Sequence, residues 1–201
     1  MRKQSEIIKQ LSDRELLLKL YVSQFIMLLV AMVLSRFLFG SWFYPLTLIS
    51  WNVYHVLIGV LAGLFVVFLE IIAVKFLPES WFDDGGVNER VFQGRSPLHI
   101  AFLSVVIGFS EEVLFRGVLQ TSFGIIPASI IFALIHFRYL QNYFLFTFTV
   151  SISFYIGFLY FITGNLLTAI ICHIVIDMLL GWGLRFGYFD KQRKRKMTND
   201  N

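Results

Sequence analysis

Glu111 and Glu112 stand side by side in an apolar run, Gly108-Phe109-Ser110-Glu111-Glu112-Val113-Leu114-Phe115-Arg116-Gly117. Ionisable side chains at membrane depth cost free energy and persist there with a partner and a task. Glu112 and Arg116 are four apart with the glutamate first, so on a helix they share a face and can pair. Glu111 is turned about 100° from its neighbour and is free to point elsewhere. A carboxylate without its own cation is a candidate general base. Two imidazoles complete the set. His173 and Asp177 are four apart, and Phe132 and His136 repeat that spacing. A buried carboxylate near two histidines is a constellation suited to hydrolysis.

Elements that could hold these groups follow from composition. The chain has 201 residues, 57% hydrophobic and 15% charged, with mean hydropathy +0.73. An ordinary soluble domain is about half apolar and about a quarter charged. The expectation is an all-α, polytopic membrane helical bundle. Six apolar segments can be drawn, at about 17–39, 53–76, 98–119, 124–137, 143–162 and 166–186. The fourth is short for a span, which takes about 20 residues. The runs are continuous rather than alternating, and backbone polar groups in hydrocarbon must be paired within the segment, so helices are expected. Ser12 and Glu15 fit a capping box opening the first helix, and 77–97 reads as a polar loop. Cys172 is the single cysteine, so no intrachain disulfide framework is available. A long charged N-terminal region without a small-residue cleavage site argues against a cleavable signal peptide. No lipidation box is seen at the C-terminus.

Lysine and arginine set the orientation. Arg2, Lys3, Lys9, Arg14 and Lys19 crowd one end; Lys191, Arg193, Lys194, Arg195 and Lys196 crowd the other. Both termini are expected in the cytoplasm, with an even number of spans. The 41–52 loop carries no Lys or Arg and falls outside; the 77–97 loop carries Arg90 and Arg95 and falls inside. Residues 121–124 and 164–165 fall outside, and Arg138 inside. On that topology Glu111 lies about 12 Å, and His173 about 10 Å, below the outer helix ends. His136 and Asp177 lie one turn deeper.

At these residues the sequence resembles a known family. Glu111-Glu112-x-x-x-Arg116, Phe132-x-x-x-His136 and His173-x-x-x-Asp177 look like the three motifs of the CAAX-protease and bacteriocin-processing membrane proteins, also called the Abi or type II CAAX prenyl endopeptidase-like family. The resemblance covers about 98–183 and includes Phe115, Gly117 and the Gly164-Asn165 turn. It implies an intramembrane peptidase with its site in a polar cavity. The chain would divide into an N-terminal part, 1–97 (tail, two transmembrane helices and a cytoplasmic loop), a catalytic helical core, 98–186, and a basic cytoplasmic tail, 187–201.

The resemblance also implies roles. Glu111 activates water, assisted by His136; Glu112 is held by Arg116 and shapes the cavity; His173 and residue 177 stabilise the oxyanion. The prenyl-protein proteases of the family carry asparagine at that last position, and here it is Asp177. An ionised aspartate cannot donate a hydrogen bond. Asp177 is then protonated, or orients His173, or helps hold a metal. The resemblance allows both metal-dependent and glutamate-type chemistry. Glu111, His136 and His173 would supply three ligands with an open fourth position, as in catalytic zinc sites, although no His-Glu-x-x-His stands on one helix. The reading adopted is a glutamate-type enzyme with histidines and no tightly bound metal.

Plainer readings exist for each group. Glu111, Glu112 and Arg116 could form a structural ion network, His136 could be a satisfied core histidine, and His173 with Asp177 an interhelical clip. Glu70 reads as a snorkelling or structural residue near Lys75, and His55 and His99 as interfacial. Cys172 diverges by about 100° from His173, forms no dyad with it, and reads as a small buried hydrophobe. The basic tail reads as a contact for membrane lipid, with no nucleic-acid partner. The expected activity is endoproteolysis of a membrane-associated peptide or protein, such as a prenylated protein or leader peptide, in a bacterial plasma membrane. A transporter or proton relay is one alternative, without the matching Gly/Pro interruptions that such folds show; a non-catalytic scaffold or immunity protein is another.

Overall fold

The computed structural model describes residues 11–188. Every regular element among them is helical. The basic residues before position 11 and after 188, with nearly all of the expected 187–201 tail, lie outside the described residues. Helix α1 is Asp13–Phe39 and α2 is Val53–Phe76. The short α3, Val87–Phe92, follows, then α4, Pro97–Glu112. That helix continues as a π-helical segment, Val113–Gln120, and a last α turn, Thr121–Phe123. Helix α5 is Ile125–Ile135, α6 is Tyr143–Thr163 and α7 is Leu166–Arg185. The capping box forms as expected: Glu15 N–H donates to Ser12 Oγ at 3.3 Å, and Ser12 N–H to Glu15 Oε2 at 2.7 Å.

Five of these helices are long and apolar enough to cross a membrane: α1, α2, α4 with its continuation to Phe123, α6 and α7. The remaining expected span, the fourth, is α5, only 11 residues and about 16 Å long. Its backbone leaves the helix at His136 (ψ 41°) and runs into a 3-10 turn, Phe137–Gln141. The segment expected as a polar loop at 77–97 is also partly ordered into helix. Asp84 accepts from the N–H groups of Val87 and Asn88 and so caps α3. Val87, Val91 and Phe92 then pack with Leu16, Ile100 and Leu103 in a small apolar cluster beneath the loop.

Loop contacts sort the chain ends of the helices onto two faces. On one, Arg90 Nε pairs with Asp13 Oδ1 at 2.9 Å, Arg138 Nη2 reaches Asp84 Oδ2 at 3.4 Å, and Trp182 donates to Pro97 O. On the other, Asn165 exchanges two hydrogen bonds with the backbone of Ser50 and meets His55 Nδ1 at 2.9 Å. These groups are the ones that the lysine and arginine distribution separates. The short α5 still connects one face to the other, because the residues after it meet the 77–97 segment.

Helix α7 stands at the centre, against α2, α4 and α6. In lipid, helices gain little from hydrophobic burial against one another, so close backbone approach and polar contacts hold them. A Cβ on Gly59 would come within 2.7 Å of Thr168 O, and one on Gly63 within 2.8 Å of Cys172 O. A Cβ on Gly108 would meet Ile174 Cγ1 at 2.9 Å. These three glycines let α2 and α4 lie directly on α7. Cys172 is buried in this seam. The outward faces carry exposed Phe25, Phe37, Leu61, Phe65, Phe158 and Phe161, as surfaces solvated by acyl chains do.

Candidate active site

The close approach at Gly108 sets His173 one turn from Glu112. His173 Nδ1 lies 2.7 Å from Glu112 Oε1. A carboxylate only accepts, so Nδ1 carries the hydrogen. The other oxygen, Oε2, lies 3.1 Å from Arg116 Nε, an ion pair without the alignment of a hydrogen bond. Arg116 Nη2 donates to Ser153 O at 2.8 Å and to Ser153 Oγ at 3.1 Å. The guanidinium also lies over the ring of Phe132, 4.9 Å from its centroid. Both Glu112 and Arg116 are buried. One cluster thus ties α4, α6 and α7 together and fixes one face of the His173 ring. Its far nitrogen, Nε2, faces Asp177 Oδ2 at 3.7 Å.

Arg116 sits where α4 widens into the π-helical segment. Thr121 N–H bonds to Arg116 O, and Thr121 Oγ1 donates to the same oxygen at 2.9 Å. Such wide turns are rare and recur at functional sites. This one follows Glu112 directly and keeps the Glu112–Arg116 pair on the buried side.

Glu111 faces a different neighbour, as its turn on the helix requires. Gln24 of α1 donates from Nε2 to Glu111 Oε1 at 3.3 Å, and Ser110 Oγ lies 2.6 Å from Gln24 Oε1. His136, at the end of α5, lies 2.8 Å from Phe132 O through Nδ1. A carbonyl only accepts, so Nδ1 carries the hydrogen and the neutral ring keeps Nε2 as an acceptor. Phe132 lies edge-on to His173 and tilted against His136. It therefore spaces the two imidazoles.

A cavity of about 1070 Å³ joins these groups. Glu111, His136, His173 and Asp177 all line it, with Gln24 and Phe132. Glu112 and Arg116 stand behind its wall. The cavity extends to Asp84, Asn88 and Arg138 on the face that carries the 77–97 segment. The cavity is continuous from that face to Glu111. Among the described residues no three His, Cys, Asp or Glu side chains come close enough together to hold a metal ion. Glu111, His136 and His173 share a wall rather than a coordination sphere, and as placed they do not fit a zinc ion.

Two residues were read differently, or not at all, from the sequence. Glu70 lines the same cavity, where the sequence predicts a snorkelling or structural role near Lys75. Lys75 is five positions on, and five steps of a 3.6-residue helix put it well off the Glu70 face. Gln24 has no local motif to mark it; a glutamine inside an apolar span is its signal. His55 and His99 are used structurally, on Asn165 and on Tyr21 Oη.

Residues 93–179 match the family model described as "Type II CAAX prenyl endopeptidase Rce1-like". A curated relative, "Uncharacterized protein YpbD" of Bacillus subtilis (strain 168), is 42% identical over 135 residues, covering 67% of this chain and 71% of its own length. No solved structure matches the chain. The matched region holds Glu111, Glu112, Arg116, His136, His173 and Asp177, and its helices are those of an integral membrane protein. The chain belongs to the Rce1-like family of type II CAAX prenyl endopeptidases, a family of membrane proteases.

Proposed function

We propose that this protein is an intramembrane endopeptidase that hydrolyses a peptide bond of a membrane-associated substrate, such as a prenylated protein or a leader peptide. Glu111 takes a proton from the attacking water. His136, whose Nε2 is left as an acceptor by the Nδ1 bond to Phe132 O, assists from the same wall. The hydroxide adds to the scissile carbonyl. His173, anchored through Nδ1 on Glu112, presents Nε2 to the developing oxyanion and in its doubly protonated form donates to it. Asp177 orients that edge of the ring. Glu111 then returns its proton to the leaving amine. No tightly bound metal takes part. The enzyme lies in a bacterial plasma membrane with both termini in the cytoplasm, and the cavity mouth opens there.

One observation carries this reading: a carboxylate on α4 and imidazoles on two other elements open onto one cavity, while the adjacent carboxylate is held behind it by His173 and Arg116. Removing a general base costs about 10²- to 10⁴-fold in rate. Membranes of cells carrying the wild type or Glu111→Gln are compared by peptide mass spectrometry. The expected result is an uncut membrane peptide that accumulates in the variant, with the variant protein present at wild-type level. Identical peptide profiles would sink the protease reading. A loss of pH-coupled flux with no cleavage product would favour a proton relay.

A further inference from the structure

Ser110 Oγ poses a counting problem. It lies 2.6 Å from Gln24 Oε1, 2.6 Å from Val106 O and 3.2 Å from Ile107 O. All three oxygens are carbonyls, which only accept, and the hydroxyl has one hydrogen. One of the two short contacts therefore lacks a proton in this arrangement. A half-turn of the Gln24 amide removes the conflict: Nε2–H then donates to Ser110 Oγ, and the hydroxyl donates to Val106 O. The turned amide places its oxygen against Glu111 Oε1, which is favourable when Glu111 carries a proton. In each arrangement the hydroxyl hydrogen and one Nε2 hydrogen have an acceptor; the two differ by one proton on Glu111, and the Ser110–Val106 contact is a hydrogen bond only in the second.

We propose that Gln24 is a positioning residue that reverses its side-chain amide as Glu111 gains and loses its proton. With Glu111 ionised, Nε2–H donates to the carboxylate and Ser110 donates to Gln24 Oε1. With Glu111 protonated by the attacking water, the carboxyl O–H donates to Gln24 Oε1, and Ser110 turns to Val106. The carboxyl group keeps its place and its partner in both halves of the cycle. A buried polar group left unpaired is costly, and the reversal avoids that cost at either step. The inference rests on Glu111 being the proton carrier. Gln24 is buried and belongs to α1, outside the 93–179 family match. The other charged and titratable groups around Glu111 are Glu112 and Arg116 beside it, His136 after α5, His173 and Asp177 on α7, and Glu70 on α2. Among the described residues, Gln24 is the side chain that reaches Glu111 by a hydrogen bond.

Infrared difference spectra of the full chain in lipid nanodiscs, recorded between acidic and alkaline buffer, test the proposal. The Glu111 carboxylic C=O band is the one missing from Glu111→Gln. The Gln24 amide C=O band is the one missing from Gln24→Met, a near-isosteric change. Carbon-13 labelling of glutamine identifies amide bands independently if that variant does not fold. The wild type is expected to show both bands together. Glu111→Gln should lose both, and Ser110→Ala should lose the amide band and keep the carboxyl band. A carboxyl band with no amide partner in the wild type, or an amide band that survives in Glu111→Gln, overturns the reversal while leaving Glu111 as base. Absence of any Glu111 band overturns both.

Discussion

Glu112 gives both oxygens to protein partners, His173 on one side and Arg116 on the other, whereas Glu111 beside it faces the cavity. Removing one member of a buried pair strands the other, at about 3–5 kcal/mol. Arg116→Met is therefore expected to destabilise the bundle by that amount in denaturant titrations of the purified protein. The paired change Glu112→Gln with Arg116→Met should cost less than Arg116→Met alone, because no charge is left stranded. Equal losses would mean that the pair contributes nothing beyond packing. The same residues show what sequence spacing can reveal. Glu112 with Arg116, and His173 with Asp177, fall within one helical repeat, so their pairing is readable from their separation. Glu112 with His173, and Gln24 with Glu111, are separated by 61 and 87 positions. Those contacts are decided by which helices pack together, and no local pattern encodes them.

Packing of α2 on α7 depends on atoms that are missing. With Thr168 O and Cys172 O under 3 Å from where a Cβ would stand, any side chain at Gly59 or Gly63 forces the helices apart. Overpacking of this kind costs about 1–3 kcal/mol. Gly63→Ala should lower the unfolding midpoint by such an amount, whereas Gly94→Ala, with open space around it, should leave it unchanged. If both behave alike, the seam is looser than described. Element lengths were largely legible: α2 matches its apolar run end to end, and α6 and α7 match to within a residue. The winding of 113–120 was not. It depends on Thr121 taking up the carbonyl of Arg116 and on the tertiary partners of Arg116, none of which alters the apolar pattern. Helix α3 was hidden because its amphipathic surface is only six residues long, too short for a period to show.

At the scale of the whole molecule, loops rich in Lys and Arg meet one another, and loops without them meet elsewhere. Which face is cytoplasmic can be read with single cysteines in a Cys172→Ser background. Leu46 and Glu89 are exposed, one on each face. An impermeant maleimide added to intact cells should label Leu46→Cys at once, and Glu89→Cys only after permeabilisation. The opposite pattern would invert the topology and turn the cavity mouth to the exterior.

The length of α5 has a consequence for the surrounding lipid. Ile126, Ile130 and Leu134 expose an apolar flank to acyl chains, yet that flank is about 16 Å tall against a hydrocarbon slab of about 30 Å. Neighbouring helices match the slab; this one does not. The bilayer must thin where it adjoins α5, or polar protein must fill the missing depth. Acyl-chain length is thereby a variable that acts on the position of His136, and a membrane of different thickness would shift that imidazole relative to Glu111 without altering a single residue.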